Sequence, residues 1–149
     1  MQATSNPPAG GLSWFRLSLL SYLLDSHPDK VVDREFIASR GDAAAEAYSA
    51  AIKYGLTHDQ AEEIASQTLY AGLHFSPYRT VVTILWEEFA QEIEPLLAEE
   101  LALELLPHLS ATIEKYPLSD DFAGTPDYRL FYTELVGAIQ ILLEDGRLE

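Results

Sequence analysis

Apolar residues recur every three or four positions along nearly the whole chain, a spacing that is typical of helices burying one face. The first predicted helix runs from about residue 14 to 25, with Ser13 as its N-cap. The second spans residues 34 to 54. The third opens with a capping box from Thr57 to Gln60 and is ended by Gly72. The first half of the chain is therefore predicted to be helical.

Glycine and proline residues mark where several of these helices begin and end. Gly55 suits the left-handed position that follows the second helix, because a residue without Cβ adopts it without strain. The fourth helix begins with Ser76 as its N-cap and Pro77 in its first turn, where a missing N–H costs nothing. We expect this helix to continue to about Ile93.

The second half continues the same pattern. Pro95 begins a leucine-rich fifth helix, and Pro107 must kink or break it because proline removes a hydrogen bond and clashes with the preceding turn. The last helix is predicted to begin with Thr125 as its cap and Pro126 in its first turn. Leu130 is expected on the buried face of that helix.

No segment alternates apolar and polar residues as a half-buried strand does. The fold class predicted is therefore all-α, a single compact domain built as an irregular bundle of six or seven helices. We expect this domain to span residues 12–149, since 149 residues suit one domain. Residues 1–11 are predicted to form a disordered tail, because Gly, Pro, Ser and Asn dominate them.

The amino-acid composition indicates the cellular compartment that we expect for this protein. The chain contains no cysteine, which excludes disulfides and thiolate metal sites and suits the reducing cytoplasm. Its first residues, MQATSNPPAGG, lack the basic and apolar regions of a signal peptide, and no apolar run approaches the length of a membrane span. We therefore expect a cytoplasmic protein that does not associate with membranes.

Charge is strongly negative and uneven. Of a net charge of −15, residues 80–149 carry −12, and Thr80 to Glu114 holds eight glutamates and no Lys or Arg. Phosphate backbones are repelled by such a surface, so direct nucleic-acid binding is not expected. A basic protein would be attracted. The alternative is that the charge only keeps a small protein soluble.

One face of the acidic stretch combines charge with apolar residues. On a helical wheel Leu96 and Leu103 share a side of the fifth helix with three glutamates, which could dock a basic amphipathic helix. The alternative is that both leucines are buried. The predicted partner surface consists of Glu92, Leu96, Glu99, Glu100, Leu103 and Glu104.

The sequence predicts no catalytic residue, cofactor or metal site. Di-iron bundles require Glu three residues before His, and no histidine of this chain has it. A Gly-rich phosphate loop and a nucleophile elbow are missing as well. We therefore expect a non-enzymatic protein.

A small-ligand pocket is kept as an alternative. We expect Glu88 at the core edge as an acid paired with Arg, and Arg40 as an ion-pair partner, since half-buried Arg favours carboxylates. The tripeptide Arg40-Gly41-Asp42 falls inside a predicted helix, so its likeness to an adhesion motif is a coincidence. The residues proposed for such a pocket are Arg40, His74, Tyr78, Trp86, Glu88 and Asp120.

The loop KYPLSDDFAGTPDY covers residues 115–128. Its acids do not alternate as calcium ligands do, so a calcium loop is excluded. Leu118 and Phe122 are expected to fix this connector to the core, while Asp120 or Asp121 caps a short turn.

Five motifs occur in order along the chain: LLDSHPD, FIASRGDAAAEAYSAAI, AEEIA, GLHFSPYRTVVTILWEEFA and KYPLSDDF. Together they make the chain resemble a bacterial family, a domain of unknown function found in small acidic proteins of anaerobic gut and oral bacteria. The resemblance covers about residues 12 to 143 and implies an all-helical fold without an assigned activity. Members of this family are often encoded on mobile elements, which hints at accessory roles.

Three functional hypotheses follow. The leading one is an interaction or accessory protein that presents its acidic helical surface to a basic protein. A variant is a nucleic-acid mimic that inhibits a DNA-binding protein by displaying carboxylates at phosphate-like spacing. The third is a small-ligand-binding protein or enzyme that uses the Arg, Glu and His residues of the proposed pocket.

Overall fold

The computed structural model describes residues 8–146, with side chains from Trp14 onward. Within this range the chain forms α-helices and short 3-10 segments and has no strand, which confirms the all-α prediction. By their contacts, the residues fall into two compact units, one ending at Ala71 and one starting at Gly72. The α-helices are Pro8–Ser26 (α1), Arg34–Lys53 (α2), His58–Leu69 (α3), Pro77–Glu88 (α4), Ala98–Leu105 (α5), Ser110–Ile113 (α6) and Asp127–Asp145 (α7).

Helix α1 begins earlier than its sequence pattern indicated. It starts at Pro8, a residue that helices accept in their first turn, so Ser13 lies inside the helix and is not its N-cap. Residues 8–11 of the predicted tail are consequently helical, while residues 1–7 lie outside the described part of the chain.

The first unit packs α2 against both α1 and α3. Asp33 caps α2 by accepting a hydrogen bond from the Phe36 amide at 3.0 Å. Gly55 has φ of 96°, and the Leu56 amide donates to the Ala51 carbonyl at 3.1 Å, as the C-terminal capping motif of a helix requires. The capping box of α3 is present as predicted.

Helices α1 and α2 approach closely at Gly41, which is buried. A Cβ added there would lie 2.6 Å from Cγ of Arg16 and 3.3 Å from its Cα. Beside this contact, the Arg16 guanidinium binds the Asp42 carboxylate at 2.8 Å. The Arg-Gly-Asp tripeptide therefore belongs to a helix interface and is not a loop tip.

The second unit contains α4 to α7 around one apolar core. Phe122 and Phe131 lie at its centre and are buried completely or almost so. Helix α5 ends at Leu105, and a 3-10 segment, Leu106–Leu109, carries Pro107, so this proline interrupts the α-helical hydrogen bonding.

Two details of α7 differ from expectation. The Thr125 hydroxyl donates to the Phe122 carbonyl at 2.7 Å instead of accepting from the first turn, so it does not cap the helix. Leu130 is 60% exposed, because the buried stripe of α7 follows Phe131, Leu135 and Ile139. Over the residues searched, no helix is long and apolar enough to span a membrane.

Candidate functional site

An acidic groove lies where α4 ends and α5 begins. Phe89 closes α4, and the amides of Glu92 and Ile93 bond back to its carbonyl at 3.0 and 2.9 Å. This turn places Glu92, Ile93 and Glu94 beside the start of α5, which Pro95 introduces through a 3-10 segment. The turn and the helix together form the groove.

The groove has a volume of about 380 Å³, and its three apolar residues, Ile93, Leu97 and Leu101, are called its apolar floor. Ile93 and Leu101 are half-buried, and Leu97 is 50% exposed. Four glutamates contribute to the lining. The complete lining is Glu92, Ile93, Glu94, Leu97, Glu100, Leu101 and Glu104.

The four glutamates of the groove have no cation beside them. Within the described residues, none of these four carboxylates forms an ion pair or a side-chain hydrogen bond. Glu99 differs, because both Nη atoms of Arg79 bind one of its oxygens at 3.0 and 2.9 Å. Glu99 therefore anchors α5 to α4, while the groove keeps uncompensated negative charge.

Only part of the predicted partner surface belongs to the groove. Glu92, Glu100 and Glu104 line the groove, whereas Glu99 is held by Arg79. Leu96 is 91% exposed and Leu103 42% exposed, which argues against the alternative that both are buried, yet neither lines the groove.

The groove residues that sequence reasoning missed are Ile93, Glu94, Leu97 and Leu101. A signal for part of this set was present, since Leu97, Leu101 and Glu104 recur at the spacing of one helical face.

Asp120 closes the loop between α3 and α4. Its carboxylate accepts from the amides of Gly72 at 2.9 Å and His74 at 3.0 Å, and His74 Nδ1 lies 3.0 Å away. These bonds, that of the Gly72 amide first, lower the pKa of Asp120 to about 2. Asp121 instead accepts from the Ser119 hydroxyl at 2.6 Å. Asp120 and Asp121 of the loop 115–128 therefore have structural partners.

We expect Asp120→Asn to lower the melting temperature by roughly 2–4 °C at pH 7, as for the loss of one charge-assisted hydrogen bond. Asparagine offers one acceptor oxygen where the carboxylate offers two. Because the folded pKa of Asp120, about 2, lies below its ordinary value of 3.8, its contribution is present above about pH 4 and is lost as the pH falls toward 2.

Thermal unfolding followed from pH 7 to about 2 checks this expectation, with Asp121→Asn as the control variant. The difference in melting temperature between Asp120→Asn and the parent protein should begin to shrink below about pH 4 and should be lost near pH 2. A difference in melting temperature that stays constant across the pH series would contradict an electrostatic origin of the Asp120 contribution.

Arg40 is not the ion-pair partner expected from the sequence. It lies in the first unit, where its Nη1 donates to the carbonyls of Leu69 at 3.1 Å and Ala71 at 2.7 Å. The carbonyls at a helix C-terminus lack partners within the helix, so a guanidinium can satisfy several of them. Arg40 therefore caps α3.

Glu88 is also placed differently from its prediction. It is exposed and accepts a hydrogen bond from Tyr132 at 3.1 Å, and Glu87 lies 3.2 Å from the same hydroxyl. Burial, followed by the bond to Glu88, raises the pKa of Tyr132. The Trp86 indole donates to the Pro95 carbonyl at 3.1 Å, and the buried Tyr78 donates to the Glu99 carbonyl at 3.3 Å.

None of the six residues proposed for a ligand pocket lines the groove. Tyr78 and Trp86 instead stabilise the backbone beside the groove, because both donate hydrogen bonds to carbonyl groups near the start of α5. A polar cluster elsewhere in the second unit joins Tyr116 and Lys115 to Glu134. The bond to Glu134 raises the pKa of Tyr116 to about 12, and the bond from Lys115 holds the pKa of Glu134 below its usual range.

A cluster with metal-ligand chemistry lies in the first unit. One ligand atom each from His58, Asp59 and Glu62 falls within 4.8 Å of the others. This cluster does not follow the Glu-x-x-His pattern, because here the histidine precedes the acids. His58 and Asp59 are exposed in the first turn of α3, where the positive end of the helix dipole disfavours a cation. His58 Nδ1 already bonds the Tyr48 hydroxyl at 2.6 Å.

The described part of the chain is thus that of a small acidic all-α protein with an acidic groove in its second unit. The chain belongs to the family described as a domain of unknown function, DUF1896, whose model matches residues 8–148. It is similar to protein PG0816 from Porphyromonas gingivalis, known from a crystal structure, at 42% identity and a TM-score of 0.89. That match covers 95% of this chain and 97% of the other. No curated protein matches the chain.

These comparisons confirm the family resemblance seen in the sequence motifs. They assign no activity, since both the family and the similar structure are of unknown function. The groove and its charge are consequently the basis for a functional proposal.

Proposed function

We propose that this protein is a non-enzymatic interaction protein of the cytoplasm that binds a basic protein through the acidic groove of its second unit. The observation that carries the proposal is the groove itself, which combines an apolar floor with four glutamates that have no ion-pair partner among the described residues. The cytoplasmic location is supported by the absence of cysteine from the sequence.

Electrostatics favour a cationic partner. The glutamates repel one another across the groove, and the chain carries a net charge of −15. Lys or Arg side chains of a partner would relieve this repulsion and would steer the encounter at low ionic strength. Phosphate backbones would be repelled by these glutamates, so nucleic acid is not the proposed partner.

The apolar floor favours a protein partner over the nucleic-acid-mimic variant. A mimic requires a surface of carboxylates at phosphate-like spacing, whereas Ile93, Leu97 and Leu101 make up three of the seven lining residues here. Apolar side chains from a partner could cover this floor, and burying them would add affinity that charge alone does not supply.

A charge-reversal experiment tests the proposal. Binding to an immobilised polylysine surface is expected at about 50 mM salt and should be lost at about 500 mM, where exposed charges are screened. The variant Glu100→Lys/Glu104→Lys should weaken binding at low salt by about ten-fold or more, because two groove charges become repulsive.

The matched control is Glu46→Lys/Glu63→Lys, which changes the net charge equally at exposed positions of the first unit. It should weaken binding by less than about three-fold, since these charges lie outside the groove. Equal losses in both variants would mean that only net charge matters. An absence of binding at low salt would overturn the proposal altogether.

A further inference from the structure

We infer that the element received by the groove is a short amphipathic helix of the partner, with an apolar stripe bordered by Lys or Arg. This inference rests on the proposed function and adds the conformation and side-chain pattern of the partner segment. Three features support this inference. They are the charged and apolar lining of the groove, the length of the groove, and the absence from the described residues of the features that strand addition or proline-rich recognition requires.

Negative charge reaches the groove from two segments of the chain. Glu92 and Glu94 come from the turn after α4, while Glu100 and Glu104 come from α5. The apolar residues come from the same stretch, Ile93 from the turn, Leu97 from the 3-10 segment and Leu101 from α5. A partner segment that carries cationic and apolar side chains next to each other matches this lining, and a helix produces such a pattern from residues three and four apart.

The length of the groove suits two turns of a helix. Leu97, Leu101 and Glu104 follow one face of the helical segment that begins at α5. With a rise of about 1.5 Å per residue, Leu97 and Glu104 lie roughly 10 Å apart along the axis. Two turns of a partner helix span about 11 Å and present two or three apolar side chains on one side.

Other modes of peptide docking have no counterpart in this part of the molecule. Strand addition requires an exposed sheet edge, and the described residues contain no strand. Recognition of proline-rich segments requires an aromatic-lined groove, and none of the lining residues is aromatic. Helix docking onto an apolar floor is the mode that remains.

Several bonds hold the groove in place before any partner arrives. Arg79 binds Glu99 at the start of α5, and Tyr78 donates to the carbonyl of the same residue. The Trp86 indole bonds the Pro95 carbonyl at 3.1 Å. Because these contacts tie α5 to α4, little ordering of the groove is required on binding, which favours affinity.

The test uses two fluorescein-labelled peptides of identical Leu, Lys and Ala composition and about 18 residues, a length that permits helix formation. In the first peptide Leu recurs at helical spacing on one side. In the second the same residues are shuffled so that Leu is distributed around the helix. We expect the first peptide to bind about ten-fold more tightly, because only it can bury its Leu residues on the floor.

Leu97→Gln should remove most of this preference, because Leu97 is the most accessible part of the floor. The control is Leu130→Gln on α7, a leucine of similar exposure outside the groove, which should leave the preference intact. Circular dichroism of the first peptide should show more helix in the complex than in the free state.

The outcomes separate the two proposals. Equal binding of both peptides, unchanged by Leu97→Gln, overturns the helix inference and leaves the acidic surface as a general cation-binding face. Binding of neither peptide at low salt overturns both proposals. A preference that Leu97→Gln removes and Leu130→Gln preserves supports the helix inference.

Discussion

Replacing Phe122 by alanine is expected to lower the free energy of unfolding by about 3–5 kcal/mol, the usual cost of removing a buried aromatic ring. Phe122 is 1% exposed, although it lies in the connector before α7. Its ring packs edge to face against Phe75 and Phe131, with centroids 5.1 and 5.4 Å away. The variant would leave a cavity among aromatic rings that cannot close without moving α7.

Urea unfolding followed by circular dichroism measures this effect. Leu130→Ala is the control, because Leu130 is largely exposed and should change stability by less than about 1 kcal/mol. Phe122→Leu retains part of the buried surface and should fall between the two. A loss below about 1 kcal/mol for Phe122→Ala would show that the connector is not fixed to the core.

Two glycine-to-alanine substitutions are expected to change stability in opposite directions. At Gly41 the new Cβ would meet Cγ and backbone atoms of Arg16, so α1 must shift, at a cost of about 1–3 kcal/mol. At Gly137, inside α7, nothing lies within 4 Å of the new Cβ. There alanine should stabilise the protein by about 0.5–1 kcal/mol, because it is the better helix former.

The same urea measurement checks both variants, and each serves as the control of the other. Both substitutions insert alanine into a helix, so the intrinsic gain in helix propensity is shared. The difference between them therefore reports the contact at Arg16. Equal stabilisation by both substitutions would show that α1 and α2 do not approach as closely as the structure places them.

The helix ends that sequence predicted well are those set by neighbouring residues. Asp33 and Ser76 cap α2 and α4, and the capping box after Gly55 is present. Such signals act within one turn, so the residues that cause them are adjacent in the chain. Where a side chain had an alternative acceptor nearby, as Thr125 has in Phe122, the same reasoning was wrong.

Partners distant in sequence could not be predicted. Arg40 binds carbonyls about 30 positions away, and Glu88 meets Tyr132, which lies 44 positions further along. Composition indicates that such groups need partners, but it does not select among them. The path of the chain decides which carbonyl or carboxylate lies within reach.

The predicted partner surface and the groove occupy the same stretch of the chain but share only Glu92, Glu100 and Glu104. The sequence prediction treated the residues after Pro95 as one regular helix. The structure has a 3-10 segment, Pro95–Leu97, before α5 begins. Residues in such a segment advance by about 120° each and not 100°, which changes their position relative to α5. Leu97 lines the groove, whereas Leu96 is 91% exposed and does not.

The bond between Asp120 and Gly72 also has a topological consequence. It joins positions 48 residues apart and so closes a non-covalent ring that contains α4, the groove, α5 and α6. The two ends of this segment, Gly72 and Asp120, are held next to each other by the bond. Substitutions inside the ring can therefore retune the shape and charge of the groove while its points of attachment stay fixed.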